Sequence, residues 1–318
     1  MAMAIGRSKV VVVGTGAVGS TVAFDLVRNH VCDELILVNR TKEKAWAEAV
    51  DLQHSLGYSG QKMLIKDGVF GDCGDADIVV MAAAPPYIKG QTRLDALEKS
   101  AAIMEDMVPV IIKSGFSGIF IVITNPVDCI SYYIQKLSGM PPSRVIGTGT
   151  ALDSARLKYT IADIMGVDQQ SVHAICMGEH GESQLIPWSQ ISVGGKRFLD
   201  IIHDNKKLFE KFNLDHFADN IKKVADRIML AKGATTFGIA ATTVQIIKAI
   251  LHNENKVIPV SAMLNGEYGE KDVYAGVPAV LYSQGIKELV EYHLLKEEMA
   301  ELRKSVAIIR KYNQKLKI

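Results

Sequence analysis

The fold is decided by residues 10–19, which read Val-Val-Val-Val-Gly-Thr-Gly-Ala-Val-Gly. The apolar β-branched run predicts a buried strand, and Gly14, Gly16 and Gly19 have the G-x-G-x-x-G spacing of a dinucleotide-binding turn. Gly14 permits the tight turn, Gly16 lets the backbone approach a pyrophosphate, and Gly19 lets the next helix lie against the strand. A glycine-rich turn without a ligand is the alternative. The strand–glycine–helix context favours dinucleotide binding at the helix N-terminus.

The rest of the first half alternates short apolar runs with segments of helical spacing. The apolar runs predict buried strands at Val10–Val13, Leu35–Val38, Ile78–Met81, Ile119–Ile123 and Arg144–Ile146. The segments between them predict helices at Val18–Asn29, Thr41–Ser55 and Asp95–Ser114. Because strands that alternate with helices form right-handed crossovers, the pattern predicts an α/β fold with a Rossmann-type, doubly wound parallel sheet.

The pattern changes after Gly147, and we place the boundary between two domains there. Residues 1–147 are expected to form the dinucleotide-binding domain, and residues 148–318 a second, α+β domain that binds the substrate. A helix is expected from about Asp153 to Met165. The strand-like segments of this half are Ser171–Met177, Trp188–Val193, Val257–Leu264 and Ala279–Tyr282.

Composition limits the partners of the chain. Its 318 residues are 48% hydrophobic and 22% charged, which is typical of a soluble globular protein. Lys and Arg number 36 against 35 for Asp and Glu, so no charge excess favours nucleic acid or a membrane surface as a partner. No apolar run has the length of a membrane span. The four cysteines form no Cys-x-x-Cys pair, which predicts reduced thiols in a cytoplasmic protein without a metal site.

The end of the second predicted strand bears on the choice of cofactor. Dinucleotide-binding folds usually carry an acidic residue here, which binds the ribose 2′-hydroxyl of NAD. This sequence has Asn39 followed by Arg40. The carboxylate that would repel a 2′-phosphate is therefore missing, and a guanidinium that can bind one is present. We favour NADP, or use of both cofactors, over NAD. The alternative is that Arg40 lies in solvent or stacks on adenine and NAD is preferred.

Two motifs in the second half carry groups for acid–base chemistry. His180 lies between glycines after a strand-like segment, and an imidazole that titrates near neutral pH can donate a proton to a carbonyl. Asp153 and Arg156 are three residues apart at the start of a predicted helix, on one face. Asp153 can orient the imidazole there, and Arg156 can bind a carboxylate. From spacing alone, a helix-capping aspartate and a solvated arginine are equally good interpretations.

Two loops that follow predicted strands supply further candidates. Arg93 precedes a long predicted helix and can polarise a substrate carbonyl if its loop closes over the site. The alternative is an ordinary arginine in the first turn of a surface helix. The segment Thr124-Asn-Pro-Val-Asp128 ends an apolar strand, and parallel-sheet proteins place ligand groups at such strand ends.

Together these motifs resemble those of one enzyme family. The motifs are Arg93, Asn125-Pro-Val-Asp128, Ile146-Gly-Thr-Gly-Thr150, Asp153-Ser-Ala-Arg156 and Gly178-Glu-His180-Gly. Their order and their spread over nearly the whole chain resemble the L-lactate and malate dehydrogenase family, and the lactate branch more closely. The resemblance implies an L-2-hydroxyacid dehydrogenase, first of all an L-lactate dehydrogenase, that reversibly reduces a small 2-oxo acid with a nicotinamide cofactor.

The resemblance also implies a role for each site residue. His180 is the acid and base, Asp153 orients it, and Arg93 lies on a mobile loop over the substrate carbonyl. The implied substrate-binding residues are Arg156, Asn125, Thr235 and, at the specificity position, Tyr87. The implied cofactor-binding residues are Gly14, Gly16, Ala17, Val18, Gly19, Asn39, Arg40 and Thr148.

Two positions depart from the family pattern. Tyr87 stands where lactate enzymes usually carry Gln and malate enzymes Arg, so malate is disfavoured. Either pyruvate or a 2-oxo acid with a bulkier side chain fits a reshaped loop. Lys158 and His173 match positions that bind an anionic sugar bisphosphate at a subunit interface in many bacterial relatives. An allosteric anion site and an ordinary subunit contact are equally good interpretations. The family implies a homo-oligomer, either a tetramer or a dimer.

Two other classes compete with a hydroxyacid dehydrogenase. One is a non-catalytic dinucleotide-binding protein, which the intact set of Arg93, Asp153, Arg156 and His180 disfavours. The other is an α-glucosidase-type relative that uses metal and cysteine chemistry. The spacing of Cys and His residues predicts no metal cluster, so hydride transfer remains the favoured chemistry.

Overall fold

The first half of the chain forms the parallel sheet predicted from the sequence. The computed structural model describes residues 7–60, 62–86, 93–210 and 213–317. The strands of the first half are β1 (Lys9–Val13), β2 (Glu34–Val38), β3 (Leu64–Asp67), β4 (Ile78–Met81), β5 (Ile119–Val122) and β6 (Val145–Gly147). They are parallel and lie in the order β3-β2-β1-β4-β5-β6. The predicted Rossmann-type sheet is confirmed.

Helices cover this sheet and explain why its strands are apolar throughout. The helices of the first half are α1 (Ala17–Asn29), α2 (Lys42–Leu56), α3 (Arg93–Lys113) and α4 (Val127–Ser138). Every residue of β1 and β4 is buried, as expected for strands that are covered on both faces. The strand order reverses beside β1, which pairs with both β2 and β4. Such a reversal opens a crevice for a ligand at the carboxyl ends of the strands.

The second half extends the same sheet with antiparallel strands. Its elements are α5 (Ala151–Met165), β7 (Val172–His173), β8 (Ser192–Val193), β9 (Lys196–Arg197), α6 (Phe198–Asp204), α7 (Leu214–Lys232), α8 (Phe237–Leu251), β10 (Lys256–Asn265), β11 (Lys271–Tyr282), β12 (Gly285–Leu289) and α9 (Lys296–Asn313). β10 joins the parallel part where Ser261 pairs with Gly147. β11 and β12 follow in antiparallel pairing. The sheet therefore continues across the position at which we placed the domain boundary.

A second hydrophobic cluster lies beneath the small antiparallel sheet of β7, β8 and β9. Residues of α5, α6 and α7 pack against this sheet around Trp188, Phe198 and Phe217. The ring centroids of Trp188 and Phe198 are 6.2 Å apart. The long strands predicted at 171–177 and 188–193 are wrong, because only two residues of each pair as a strand. Residues 188–190 form a 3-10 turn instead.

Among the described strands and helices, β3, α4, β9, α6 and β12 were not predicted, and β11 is longer than expected. Only Ile65 of the four residues of β3 is buried, so this strand lacks the continuous apolar run of the inner strands. α4 follows Pro126 and begins within the motif that ends the strand predicted at residues 119–123.

No single helix in the described ranges is long and apolar enough to cross a membrane. The helices His216–Lys232 and Phe237–Leu251, which are bent by 119° relative to each other, reach the required length and composition only when they are taken as a pair.

Candidate active site

The glycine turn after β1 has the close contacts that its spacing predicts. Gly14 has φ of +101°, and its N–H donates to the Val38 carbonyl at 2.8 Å. A Cβ on Gly14 would lie 2.5 Å from the Ala83 nitrogen, and one on Gly19 would lie 1.8 Å from the Gly14 oxygen. Only glycine is compatible with contacts of this kind, because backbone atoms cannot move aside as a side chain can. The turn thus brings α1 directly against the strand ends.

The N-terminus of α1 is open in front of this turn. Gly16 is its N-cap residue and makes no side-chain cap, and a Cβ placed on Gly16 would meet nothing within 4 Å. The first N–H groups of a helix have no partner within the helix, and together with the helix dipole they attract phosphates. Ala17 and Val18 begin the helix. The space beside Gly16 and the uncapped amides fit the pyrophosphate of a dinucleotide.

Asn39 is held by hydrogen bonds within the protein, whereas Arg40 is exposed to solvent. The Asn39 amide Nδ2 donates to Thr15 Oγ1 at 2.7 Å, and its Oδ1 accepts the Thr41 N–H at 3.0 Å. Thr15 is fully buried within the glycine turn, so Asn39 is fixed to the phosphate-binding loop. Arg40 is exposed and makes no ion pair within the described residues. Its guanidinium is therefore available to a ligand at the end of β2.

The ends of β5 and β6 lie at the same edge of the sheet. The Thr124 hydroxyl donates to the carbonyl of Ala83 at 2.8 Å, and the Ser100 hydroxyl donates to the carbonyl of Asn125 at 2.8 Å. These bonds fix the backbone on both sides of an exposed Asn125 side chain. Thr148 is buried, and its N–H donates to the Val122 carbonyl at 2.9 Å. Both predicted residues thus lie where parallel sheets bind their ligands.

His180, Asp153 and Arg156 form one connected cluster. His180 Nδ1 lies 2.6 Å from Asp153 Oδ2, and Arg156 Nη1 donates to Asp153 Oδ1 at 3.0 Å. Asp153 is nearly inaccessible, whereas 26% of the His180 side chain is exposed. The geometry brings Asp153 and His180, which we predicted to pair, together across 27 residues of chain. The alternative of a capping aspartate is wrong, because Thr150 is the N-cap residue of α5.

The cluster sets the protonation states of its members. Burial lowers the pKa of His180, but the charge and hydrogen bond of Asp153 outweigh it, so the net pKa is raised. Burial raises the pKa of Asp153, yet His180 and Arg156 bring it below the usual value. The favoured state is therefore a protonated imidazole beside an ionised carboxylate. Such a pair can give a proton to a developing alkoxide and take it back.

Backbone contacts that we did not predict hold the His180 loop in place. Gly178 has φ of +86° and exchanges two hydrogen bonds with Gly276 of β11. A Cβ on Gly178 would lie 2.5 Å from Ser305 Oγ. The Ser154 hydroxyl, next to Asp153, accepts the N–H of Cys176 at 2.9 Å. Neighbouring residues of α5 thus fix both the carboxylate and the loop that presents the imidazole.

Two residues of this second group, Ser305 and Gly276, gave no local signal in the sequence. Ser154 lies on α5, Gly276 on β11 and Ser305 on α9, far apart in the chain. Only Ser154 stands beside a residue that we had singled out. The spacing of polar residues on α5 could have indicated Ser154, because it shares the first turns of that helix with Asp153.

The remaining predicted residues lie around the cluster or outside the described part. Thr235 is half-buried in the turn between α7 and α8. Gly238 brings this turn close to α5, because a Cβ there would lie 2.7 Å from Leu152 Cδ1. Arg93 begins α3, but its side chain lies outside the described residues. Tyr87 also lies outside them.

Lys158 and His173 lie on neighbouring elements away from the imidazole. Lys158 is half-buried on α5, and His173 is exposed on β7, which contacts that helix. Burial lowers the pKa of Lys158, and the nearby charge of Lys256 lowers it further. The cations of Lys158 and Lys256 are therefore close enough to influence each other.

The open clefts at the amino ends of the strands contain none of the predicted site residues. One has a volume of about 640 Å³ and the other about 590 Å³, and Arg7 lines both. Ligands of doubly wound sheets bind at the opposite, carboxyl edge, which is where the glycine turn and the ends of β5 and β6 lie. We therefore assign the chemistry to that edge.

Known proteins are similar to this chain over nearly its whole length. "L-lactate dehydrogenase 3" of Bacillus thuringiensis subsp. konkukian is 42% identical over 304 residues, 96% of each chain. "L-lactate dehydrogenase 2" of Bacillus anthracis is 43% identical over 305 residues, 96% of this chain and 97% of the relative. The minor L-lactate dehydrogenase of Enterococcus mundtii in its ligands-bound form superposes with a TM-score of 0.94 at 39% identity and covers 98% of this chain and 99% of its own.

A second solved structure and the family models agree. MGS-M5, a lactate dehydrogenase enzyme from a Medee basin deep-sea metagenome library, has a TM-score of 0.93 at 42% identity and covers 98% of this chain and 99% of its own. Residues 8–147 match the NAD binding domain of lactate/malate dehydrogenase, and residues 150–317 match its alpha/beta C-terminal domain. Because the two family models and these relatives match nearly its full length, the chain belongs to the lactate/malate dehydrogenase family.

Proposed function

We propose that the protein is an NAD-dependent L-lactate dehydrogenase that reversibly reduces a 2-oxo acid to the L-2-hydroxy acid. The observation that carries the proposal is the cluster of His180, Asp153 and Arg156, with a 2.6 Å contact between imidazole and carboxylate. It combines a proton donor with a cation for a substrate carboxylate. The family membership, with an NAD binding domain over residues 8–147, supports the reaction class.

The cluster and two further residues, Asn125 and Arg93, share the binding and proton-transfer steps. Arg156 has five N–H donors and uses one on Asp153, so others remain for the substrate carboxylate. Asn125 donates a hydrogen bond to the substrate, and Arg93 polarises its carbonyl. The nicotinamide supplies the hydride for C2 when the cofactor is bound. His180 protonates the carbonyl oxygen, and Asp153 stabilises the imidazolium before the proton leaves.

The other site assignments follow the same proposal. Thr235 and Tyr87 are proposed to select the substrate side chain, and the residues proposed to bind the cofactor are Thr148, Gly14, Gly16, Ala17, Val18, Gly19, Asn39 and Arg40. We also propose that residues 1–147 and 148–318 act as dinucleotide-binding and substrate-binding domains. We propose that the enzyme is a cytoplasmic homo-oligomer, either a tetramer or a dimer. Lys158 and His173 are proposed to bind an anion in that oligomer.

The cofactor preference is a separate proposal. Asn39 replaces the carboxylate that would repel a 2′-phosphate, and the exposed Arg40 beside it offers a bidentate partner for one. We therefore propose that NADP is accepted beside NAD, and that it is preferred if Arg40 reaches the phosphate.

One experiment tests substrate and cofactor together. Initial rates are measured with NADH and NADPH against pyruvate, oxaloacetate, 2-oxoisocaproate and phenylpyruvate. We expect turnover with pyruvate to exceed that with oxaloacetate. Faster turnover of the bulky acids would make the enzyme a bulky-substrate hydroxyacid dehydrogenase, and no turnover of any acid would contradict the proposed function. Turnover with NADH but none with NADPH would contradict the proposed role of Arg40.

Gly16→Ala tests the proposed pyrophosphate site. A methyl group at this position meets nothing in the protein, so the Tm of the free protein should stay close to that of the wild type. The methyl group would occupy the space where the pyrophosphate approaches, and we expect at least about tenfold weaker NADH binding, a loss of ~1.4 kcal/mol. Gly71→Ala is the control, because its Cβ would also have room, with the nearest atom at 3.8 Å. Unchanged NADH affinity in Gly16→Ala, measured by titration calorimetry, would contradict the site.

Arg156→Lys tests the carboxylate clamp. An ammonium group keeps the charge but loses the planar pair of donors. One lost hydrogen bond to a charged partner costs about 1.5–3 kcal/mol, so we expect KM for pyruvate to rise by roughly 10- to 100-fold. Steady-state kinetics at saturating NADH measure the change, and Arg28→Lys, in the last turn of α1, is the control. A KM like that of the wild type would remove Arg156 from the proposed clamp.

A further inference from the structure

Asp128 lies beneath the His180 loop and has no role in the mechanism above. It is the second residue of α4 and is 2% exposed. Its Oδ2 accepts the backbone N–H of His180 at 2.8 Å, and its Oδ1 accepts the hydroxyl of Ser261 at 2.5 Å. The carboxylate therefore joins α4 to the His180 loop and to β10. These three segments are far apart in the sequence.

A carboxylate is costly in such a place unless several groups compensate for its charge. Burial raises the pKa of Asp128 to about 6, although the hydrogen bonds from Ser261 and the His180 backbone lower it. The charged groups that act on the carboxylate are His180, which favours its ionised form, and Glu179, which disfavours it. The N-terminus of α4 adds a favourable dipole. A group retained under these conditions needs a reason beyond packing, since an apolar residue would avoid the burial cost.

We infer that Asp128 is a positioning residue for His180, with Ser261 as its partner. Asp153 binds the ring through Nδ1, whereas Asp128 binds the main chain of the same residue. Two carboxylates on different helices thus fix both the rotation of the imidazole and the position of its backbone. Neither contact uses Nε2, which stays available to the substrate.

The inference also concerns the two halves of the chain. Asp128 follows β5 and lies three residues after Asn125, on the side that binds the dinucleotide, whereas His180 belongs to the second half. Ser261 pairs with Gly147 at the junction of the sheet. Asp128 therefore sets the position of the proton donor relative to the crevice. This role rests on the proposed function, since it concerns a proton donor in hydride transfer.

Asp128→Asn is the primary test, because it keeps the shape and one acceptor oxygen but removes the charge. The charge of Asp128 raises the pKa of His180, so its loss should lower that pKa. The protonated imidazole is the form that reduces a 2-oxo acid, and the alkaline fall of kcat/KM for reduction should therefore move to lower pH. We expect kcat to fall by roughly 10- to 100-fold, since a misplaced reacting group can cost about 10²-fold, with a smaller change in KM.

Ser261→Ala is the second variant, and we expect it to shift the acid limb of the pH–rate profile. It removes the hydrogen bond that lowers the pKa of Asp128. The carboxylate should then become protonated at a higher pH than in the wild type, and the acid fall of activity should move upward. Asp272→Asn is the matched control, because Asp272 pairs with Lys136 and Tyr132 in the C-terminal part of α4. Its pH profile should match that of the wild type.

Three readouts separate the outcomes. The Tm of each variant reports folding, the pH–rate profile reports function, and NMR titration of labelled histidine reports the pKa of His180 without turnover. The inference is overturned if Asp128→Asn folds with the His180 titration and pH profile of the wild type. If Asp128→Asn does not fold, an unmoved acid limb in Ser261→Ala overturns it. A wild type without turnover of 2-oxo acids would contradict the proposed function instead, and the NMR titration would still decide the link between Asp128 and His180.

Discussion

Replacing His180 by alanine is expected to lower kcat for 2-oxo acid reduction by about 10²- to 10⁴-fold, the usual contribution of a positioned general acid. His180 is the titratable group of the cluster that is partly exposed, and its ring nitrogen is paired with a buried carboxylate. Without it, water would have to protonate the carbonyl oxygen. The hydrogen bonds that His180 makes are to Asp128 and Asp153 rather than to the glycine turn, so binding of the dinucleotide should persist.

Stopped-flow and steady-state rates with pyruvate measure this loss, and fluorescence titration with NADH measures cofactor binding. His203→Ala is the matched control, because His203 is 77% exposed and pairs with Asp204 on α6. A His180→Ala enzyme that retains most of its turnover would remove His180 from the mechanism. Lost NADH binding with an intact fold would show that the residue serves the cofactor instead.

Asp153→Asn should produce the second largest effect, with a change in pH dependence that His180→Ala cannot show. The carboxylate raises the pKa of His180 through its charge and its hydrogen bond. An amide keeps the shape but removes the charge, so the folded-state pKa of His180 should fall. Reduction requires the protonated imidazole and is lost as pH rises through that pKa. The alkaline limb should therefore move to lower pH, with kcat lower by roughly 10²-fold or more at neutral pH.

The pH profile of kcat/KM for pyruvate, recorded with Tm at each pH, measures this effect. Arg156 also loses its charged partner in Asp153→Asn, so some rise in KM is expected beside the fall in kcat. Asp163→Asn, on the exposed part of α5, is the control. An alkaline limb at the wild-type position would show that Asp153 does not set the protonation of His180.

The elements that could be predicted from sequence share strong local patterns. β1, β2 and β4 are continuous apolar runs, and their bounds agree with the prediction to within one residue. The glycine turn could be predicted because local backbone geometry requires two of its glycines. Gly14 has a positive φ, and Gly19 lies too close to the Gly14 carbonyl oxygen for a side chain. Local patterns of this kind do not depend on the rest of the chain.

The elements that were missed depend on tertiary contacts. β7 and β8 have only two paired residues each, so their strand character comes from packing over the second hydrophobic cluster. β3 lies at the edge of the sheet and needs apolar residues on one face only. α4 begins at a motif whose proline and asparagine indicate a turn, although proline is well suited to the start of a helix.

The site residues also divide into those with a local signal in the sequence and those that only tertiary contacts reveal. The three-residue spacing of Asp153 and Arg156 indicated a shared face, and the ion pair between them confirms it. The chemistry of the two residue types and the resemblance together led to the pairing of Asp153 with His180, because their separation of 27 residues gives no local signal. Ser261, 133 residues from Asp128, could not have been found from the sequence, because only the folded sheet brings β10 beside α4.

The continuous sheet has a consequence for any attempt to separate the two halves. In the intact chain, β6 lies between β5 and β10, and Val145 and Ile146 are fully buried. A fragment that ends at residue 147 would leave β6 as an edge strand with unpaired backbone groups and an uncovered apolar face. Such edges recruit other strands and promote aggregation. The nucleotide-binding half is therefore expected to aggregate when it is produced alone. Its solubility depends on the hairpin of β10 and β11, which begins more than a hundred residues after β6.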